Sequence, residues 1–145
     1  MSQPTPEFIA RRVAEIYARG ADRLDKSLWR QVMADDCLIE GPGFHNQGID
    51  ACLGLIDTLS TIFLRTRHNV MNVTADFVGD LIKAETYCIA DHIQVIEGEK
   101  KILSWHIRYQ DMLAQEGGEW RYTHRNLLID WEEIRSLSRD EVTSP

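Results

Sequence analysis

Three glycine-rich turn signals divide the second half of this sequence into long segments in which apolar and polar residues alternate. The turn signals are Gly79-Asp80, Glu97-Gly98-Glu99 and Glu116-Gly117-Gly118. Such turns between alternating segments predict β-hairpins. The four predicted strands cover about residues 66–77, 81–96, 101–114 and 120–131. All four exceed the usual strand length of about five or six residues, and long antiparallel strands joined by tight turns must twist and curl.

The first half of the chain shows helical periodicity in three segments. The predicted helices run from Pro6 to about Ala21, from Lys26 to about Met33, and from Gly48-Ile49 to about Phe63 or Leu64. Thr5 and Asp25 precede the first two helices and are suitable N-caps. A short strand, Cys37–Glu40, lies between the second and third helices and ends at a Gly-Pro-Gly sequence.

The predicted order of elements is therefore ααβαββββ. This order indicates an α+β fold in which the helices pack over one face of a curved antiparallel sheet that forms a cone. We expect a single domain over residues 1–145, with a core at about 6–131 and a polar tail at 132–145. The tail is expected to carry one short helix at Glu133–Leu137.

Composition and charge exclude several classes of function. The 145 residues include 16 basic and 23 acidic side chains, for a net charge of −7, which disfavours nucleic acid and anionic membranes as partners. No apolar run approaches the roughly 18 residues that a membrane-spanning helix needs. Residues 1–6 do not have the pattern of a secretory signal. The three cysteines, Cys37, Cys52 and Cys88, are widely spaced, which is typical of reduced, buried thiols in a cytoplasmic protein.

Four segments, in this order and at this spacing, resemble a known family. They are Tyr17–Asp25, Ala34–Cys37, Thr66-Arg67-His68 followed by Asn72, and Gly117–Tyr122 followed by Arg125 and Asp130-Trp131. Together they resemble the nuclear-transport-factor-2-like cone, and within it the SnoaL-like group that contains scytalone dehydratase. The similarity covers about residues 6–131, and it implies a cone-shaped α+β domain with a ligand pocket inside.

The resemblance also implies a catalytic dyad. Scytalone dehydratase and hexachlorocyclohexane dehydrochlorinase have an Asp–His pair deep in the cone, and these residues match Asp22 and His68. A second pocket histidine of scytalone dehydratase matches His92. Three further polar residues of that enzyme fall on Ala21, Ile107 and Tyr109, and these departures argue against scytalone itself as the substrate.

A histidine held by a carboxylate can abstract a proton next to a carbonyl or a leaving group. We therefore predict Asp22, His68 and His92 as catalytic residues. The residues predicted to line the substrate pocket are Tyr17, Trp29, Phe63, Asn72, Cys88 and Tyr109. Strand alternation places Thr86, Cys88, Ala90 and His92 on one face, although the opposite face, with Tyr87 and Ile89, is an alternative lining.

Each of these residues also has a purely structural interpretation. His68 could be a hydrogen-bonded histidine in a binding cavity, and Asp22 could be a helix cap or turn residue. Arg125 is most simply a salt-bridge residue at the surface or at an interface. Asp91, His92 and His106 could be imagined as metal ligands, but they lack the spacing of HxH or HExxH motifs, so no metal site is predicted.

Two classes of function follow. The leading hypothesis is a cofactor-independent lyase or isomerase acting on a small apolar, aromatic-polyketide-like or steroid-like molecule. The alternative is a non-catalytic module: a ligand-binding protein with a vestigial dyad, or an assembly module such as the β subunit of ring-hydroxylating dioxygenases, which the chain also resembles. The discriminating feature is whether the Asp22 carboxylate reaches a ring nitrogen of His68 and faces an open cavity, because a solvent-exposed Asp22 or a filled cone would favour the non-catalytic roles. Apolar residues on the outward sheet face, expected at Trp105, Ile107 and Tyr109, predict a homodimer or homotrimer.

Overall fold

The computed structural model describes residues 2–140 of the chain. The helices are α1 (Pro6–Asp22), α2 (Lys26–Val32) and α3 (Ile49–Ile62). The strands are β1 (Met33–Gly41), β2 (Phe44–Gln47), β3 (Arg65–Val78), β4 (Leu81–Ile96), β5 (Glu99–Glu116) and β6 (Glu119–Ser136). The predicted fold class and order are confirmed, with one addition. The added strand is β2, which pairs with β1 after the Gly-Pro-Gly sequence that was predicted to end β1. With four residues, β2 is too short for an alternation of apolar and polar residues to be recognised.

Local side-chain contacts begin the first two helices where the sequence predicts. The hydroxyl of Thr5 accepts a hydrogen bond from the backbone N–H of Phe8, and Pro6 occupies the first turn of α1. The carboxylate of Asp25 accepts hydrogen bonds from the backbone N–H groups of Ser27 and Leu28. These caps satisfy amides that have no partner within the helix, so they fix both start points.

The six strands form one sheet in the order β2-β1-β6-β5-β4-β3. All neighbouring pairs are antiparallel except β1 and β6, which are parallel. This order leaves β3 at an edge of the sheet. Helix α1 packs mainly on β3, and therefore the end of α1 lies beside the start of that strand.

Bulges change which residues face the helices. The pairing of β3 with β4 shifts between Val70 and Val73, and the pairing of β6 with β5 shifts at Thr123 and again at Asp130. One extra residue in a strand inverts the alternation beyond it. Tyr122 and Arg125 consequently both point into the core, although simple alternation predicts opposite faces for them.

Of the two alternative faces of β4, the inner one carries Thr86, Cys88, Ala90 and His92, which are all buried. The prediction for β5 was wrong. Ile107 and Tyr109 were expected to face outward, but they pair across the sheet with Cys88 and Thr86 and are therefore buried on the inner face. Trp105 lies on the same inner side, where it contacts Phe63 and His92.

The predicted helix at Glu133–Leu137 is also wrong, because β6 continues to Ser136. Strand β5 begins at Glu99, and its backbone pairs with this polar segment as far as Lys101 and Ser136. Available strand partners therefore override the helical preference of the local sequence. Residues 141–145 of the predicted tail lie outside the described residues. No helix within residues 2–140 is long and apolar enough to cross a membrane.

Candidate active site

Asp22 and His68 lie in direct contact at the end of α1. The carboxylate Oδ1 of Asp22 is 2.7 Å from the ring Nδ1 of His68. A carboxylate only accepts hydrogen bonds, so Nδ1 must donate and Nε2 carries the lone pair. This tautomer is the one in which a histidine can take a proton at Nε2.

Three donors from β3 hold the Asp22 carboxylate in place. The Thr66 hydroxyl donates to Oδ1 at 3.0 Å, and the backbone N–H of His68 donates to Oδ2 at 2.9 Å. The His68 ring is the third donor. The carboxylate is thus fixed by two consecutive inward-facing positions of the strand, and the imidazole cannot turn without breaking the shortest of these contacts. The side chains of His68 and Asp22 are 8% and 24% exposed, so the dyad is shielded without being sealed from solvent.

His92 lies next to the dyad, with its ring centroid 6.0 Å from that of His68. Its Nδ1 donates to the backbone carbonyl of Leu103 at 3.0 Å, which leaves the lone pair on Nε2. Burial lowers the pKa of His92 to about 4, so the ring is neutral at pH 7. In this state His92 can accept a hydrogen bond at Nε2, but it has no proton there to donate.

Aromatic rings surround the two histidines on the apolar side. The ring of Phe63 is 4.4 Å from His92, and the ring of Trp105 is 4.5 Å from it on β5. These contacts explain why His92 is desolvated. They also give the site the apolar character that suits a small hydrophobic ligand.

Two pockets open beside the dyad. One has a volume of about 400 Å³ and includes Asp22, Phe63 and Thr66 in its lining. The other has a volume of about 360 Å³ and is lined by Asp22 and His68 together with residues of α1. Asp22 therefore borders both pockets, and His68 borders the smaller one.

Most of the other predicted pocket residues are buried away from the dyad, and one is exposed. Tyr17, Trp29 and Tyr109 lie deeper, in the packed core, where Trp29 stacks on Tyr17 with centroids 4.5 Å apart. Cys88 is buried on the inner face of β4, and burial raises the pKa of its thiol to about 12. Asn72 was expected on the face of His68, but it lies at the β3 bulge and is exposed, so it is not brought to the dyad.

A buried ion pair that the sequence did not predict lies further inside. Arg125 is 1% exposed rather than at the surface, and its Nε donates to Asp111 Oδ1 at 2.9 Å. Burial opposes the charge of Arg125, but Asp111 and the surrounding rings outweigh that effect and keep its pKa above the ordinary value. The guanidinium carbon lies 3.6 to 4.3 Å from the ring centroids of Tyr17, Tyr109 and Tyr122.

The cluster of Arg125 with the rings of Tyr17, Tyr109 and Tyr122, here called the aromatic cage, leaves some polar atoms without hydrogen bonds. Within the described residues, Arg125 Nη1 and the hydroxyls of Tyr122 and Thr86 are buried without a hydrogen-bond partner. The only sequence signal for the cage was a charged residue on a strand rich in aromatics. The bulge at Thr123 made the cage unpredictable from the sequence. Simple alternation from Trp120 and Tyr122 places Arg125 on the strand face opposite to theirs.

The remaining histidines are not part of the site. His106 stacks on Trp131, His124 contacts Glu40, and His45 lies on β2 close to the same Glu40. Among residues 2–140 there is no cluster of three or more His, Cys, Asp or Glu side chains that could hold a metal ion. All three cysteines are free thiols and buried, as predicted.

A family model for the SnoaL-like domain matches residues 10–126 of the chain. No curated protein sequence matches this chain.

Solved structures with the same fold include three that are informative here. A scytalone dehydratase-like protein from Novosphingobium aromaticivorans is 21% identical, with a TM-score of 0.76, over 92% of this chain and 93% of that one. A type 2 hexachlorocyclohexane dehydrochlorinase, LinA, is 16% identical, with a TM-score of 0.82 over 92% and 93%. An aromatic ring hydroxylase-like protein, also from Novosphingobium aromaticivorans, is 14% identical, with a TM-score of 0.78 over 91% and 93%. At these identities the similarity establishes the fold.

Proposed function

This chain belongs to the SnoaL-like domain family, and from that premise we propose that it is a cofactor-independent lyase or isomerase of the dehydratase type. The observation that carries the proposal is the 2.7 Å contact between Asp22 Oδ1 and His68 Nδ1. It lies within the hydrogen-bond range of about 2.6–3.2 Å expected of a base and the group that orients it. The family and the dehydratase and dehydrochlorinase folds among its structural neighbours agree with this class of chemistry.

His68 acts as the base in the proposed mechanism. Its Nε2 takes a proton from a carbon next to a carbonyl or a leaving group, and Asp22 stabilises the imidazolium that forms. The electron pair of the broken C–H bond then forms the double bond of the product as the leaving group departs. In a dehydration, the proton on His68 passes to the leaving hydroxyl, and water is released. In an isomerisation, it returns to a different carbon.

In this proposal His92 binds a substrate oxygen and does not donate a proton. Because its Nδ1 proton is used by Leu103 and its pKa is depressed to about 4 by burial, it serves as a hydrogen-bond acceptor for a substrate hydroxyl. The substrate is a small apolar molecule of the aromatic-polyketide-like or steroid-like kind, because the rings of Phe63 and Trp105 pack against His92. The compartment that fits three free, buried thiols is the cytoplasm.

The proposal is tested most directly by proton abstraction itself. We would follow deuterium exchange at the α-carbon of 1-tetralone in D₂O by NMR, together with alkene formation from a panel of β-hydroxy ketones. His68→Gln is expected to slow the exchange by about 10²–10⁴-fold. His106→Gln, which removes a histidine from the outer face, should retain the wild-type rate. Equal rates in the wild type and His68→Gln would disprove the base role.

Asp22→Asn tests the orienting role separately. An asparagine amide can donate to Nδ1, which would move the ring proton to Nε2 and remove the lone pair from the reacting nitrogen. We expect exchange to be lost while the protein remains folded, and ¹⁵N NMR should show the changed tautomer. An unchanged tautomer would show that Asp22 does not control the ring.

A non-catalytic binding or assembly role is the second candidate. The observation in its favour is that the interior beyond the dyad is filled by the rings of Tyr17, Tyr109 and Tyr122 around Arg125. The ring hydroxylase-like neighbour has the same fold. Stable co-purification with a partner chain, without proton exchange on any ketone, would favour this role.

A further inference from the structure

Four arginines surround the openings beside the dyad. Arg23, Arg65 and Arg67 line the larger pocket, and Arg19 and Arg23 line the smaller one. The chain as a whole has 23 acidic and only 16 basic residues. A group of arginines at one opening reverses the sign of the charge there relative to the rest of the molecule.

None of these arginines forms an ion pair or a side-chain hydrogen bond within residues 2–140. The nearby carboxylates are hydrogen-bonded or ion-paired to other groups, although the charges of Arg23 and Arg65 also act on Asp25 and Asp140. Asp25 binds Ser27, Asp140 binds Lys100, and Glu15 pairs with Arg11. Asp22 is the one carboxylate in the lining of the larger pocket, and β3 already supplies three donors to it. The guanidinium groups are thus available to a ligand.

Apolar side chains complete the larger pocket. Leu24, Leu59, Phe63 and Leu64 all contribute to its lining. Leu24 and Leu64 are 47% and 57% exposed, which is high for residues of this type in a folded chain. Leu24 also has a positive φ of 53°, a conformation that is costly for leucine. Exposed leucines next to unpaired guanidinium groups match a ligand that has an apolar body and an anionic end.

We propose that this opening recognises small apolar molecules that carry an anionic oxygen group, a carboxylate or a phosphate. The arginines at the rim bind that group, and the leucines and Phe63 bind the adjoining hydrocarbon. A guanidinium matches the planar arrangement of carboxylate and phosphate oxygens better than an ammonium does. This inference rests on the proposed function in one respect, because it names the substrate class of the same site.

The arrangement also sets the direction in which the ligand enters. The Asp22 carboxylate repels an anionic group, so the charged end remains at the rim with Arg23 and Arg67. The apolar end is then directed toward Phe63, whose ring contacts His92. An anionic molecule approaching a chain of net charge −7 would otherwise be repelled, and the positive rim offsets this repulsion at the entrance.

The test compares three probes with one hydrocarbon body: 2-naphthoate, 2-naphthyl phosphate and the neutral 2-naphthamide. Dissociation constants would be measured by calorimetry on the full chain at 50 and 500 mM NaCl. We expect at least one anion to bind about tenfold more tightly than the amide at low salt, and the difference to shrink at high salt. The tighter of the two anions identifies the group that the site prefers.

Two double variants distinguish an effect of the rim arginines from an effect of the net charge of the protein. Arg23→Gln with Arg67→Gln should remove the preference for the anion. Arg12→Gln with Arg30→Gln changes net charge equally at exposed positions outside both pockets and should retain it. Equal binding of anion and amide to the wild type, no binding of any probe, or equal loss in both double variants would each overturn the inference.

Failure of this inference is distinguishable from failure of the proposed function. Binding is measured without turnover, so an anion preference in a protein that exchanges no protons would support the rim and refute the lyase. Conversely, exchange on neutral ketones that depends on His68, without any anion preference, would support the lyase and refute the rim.

Discussion

A carboxylate at the C-terminal end of a helix faces the negative end of the helix dipole, and Asp22 has this position in α1. The unfavourable placement is offset by donors from Thr66 and His68, which lie on a different element. At the scale of single residues, the Asp22 carboxylate therefore depends on β3 for its hydrogen-bond donors, and these donors of β3 depend on Asp22 for their acceptor.

The burial of His92 leads to a prediction about how the free energy of unfolding depends on pH. Its pKa is lowered by burial from an ordinary 6.5 to about 4, so between these values the unfolded chain binds a proton that the folded chain does not. The free energy of unfolding should therefore fall as the pH drops from 6.5 to 4, by up to about 3 kcal/mol from this residue.

Urea unfolding at a series of pH values checks this prediction. His92→Gln can still donate to the carbonyl of Leu103, but it cannot titrate, so its curve should be flatter over the same window. The same pH slope in the wild type and in this variant would contradict the assignment.

At the scale of elements, the packing of α1 on α2 depends on Gly20. A Cβ at this position would lie 2.4 Å from Cδ1 of Trp29, whose ring is 1% exposed and stacked on Tyr17. Gly20→Ala should therefore lower the free energy of unfolding by about 1–3 kcal/mol, although alanine is the better helix former.

Gly54 in α3 provides the matched control for this substitution. A Cβ there would meet nothing within 4 Å, so Gly54→Ala should stabilise the protein by about 0.5–1 kcal/mol. Both values follow from thermal or urea unfolding. Stabilisation by both substitutions would show that Trp29 can move aside.

The elements that the sequence predicts correctly are those with strong local signals. Glycine turns and long alternation define the strands, and caps at Thr5 and Asp25 define two helix starts. The bulges are harder to predict, because one extra residue has no local signature but changes the facing of everything beyond it. For this reason Asn72, predicted to line the pocket, lies at an exposed bulge, and Arg125, predicted at the surface or an interface, is buried.

The candidate dyad was predictable only through family resemblance. Asp22 and His68 are 46 residues apart, and no local pattern shows that a helix end and an edge strand will meet. The single-domain organisation and the homodimer or homotrimer remain predictions. Trp131, 60% exposed on β6, is a more suitable interface residue than Ile107 or Tyr109.

At the scale of the whole molecule, the pair Arg125–Asp111 and its tyrosines join α1, β5 and β6 in one buried cluster. Arg125→Met would leave the Asp111 carboxylate buried and unpaired. We expect this change to cost about 3–5 kcal/mol of unfolding free energy, measured in urea.

A second substitution should recover much of that loss. Arg125→Met combined with Asp111→Leu replaces both charges by apolar groups, which is often close to neutral for a buried pair. A double variant no more stable than Arg125→Met alone would show that the cage requires the cation itself and not merely charge balance.

The hydrogen bonds from the His68 backbone to Asp22 have a consequence for the evolution of this chain. Strand β3 is at the edge of the sheet, where an open backbone N–H is a template for aggregation, and the Asp22 carboxylate occupies one such N–H. Selection for solubility would therefore preserve the aspartate even in a descendant that no longer turned over any substrate. The imidazole of His68 has no such protection. Among related chains, retention of the aspartate alone is therefore no sign that the chemistry persists.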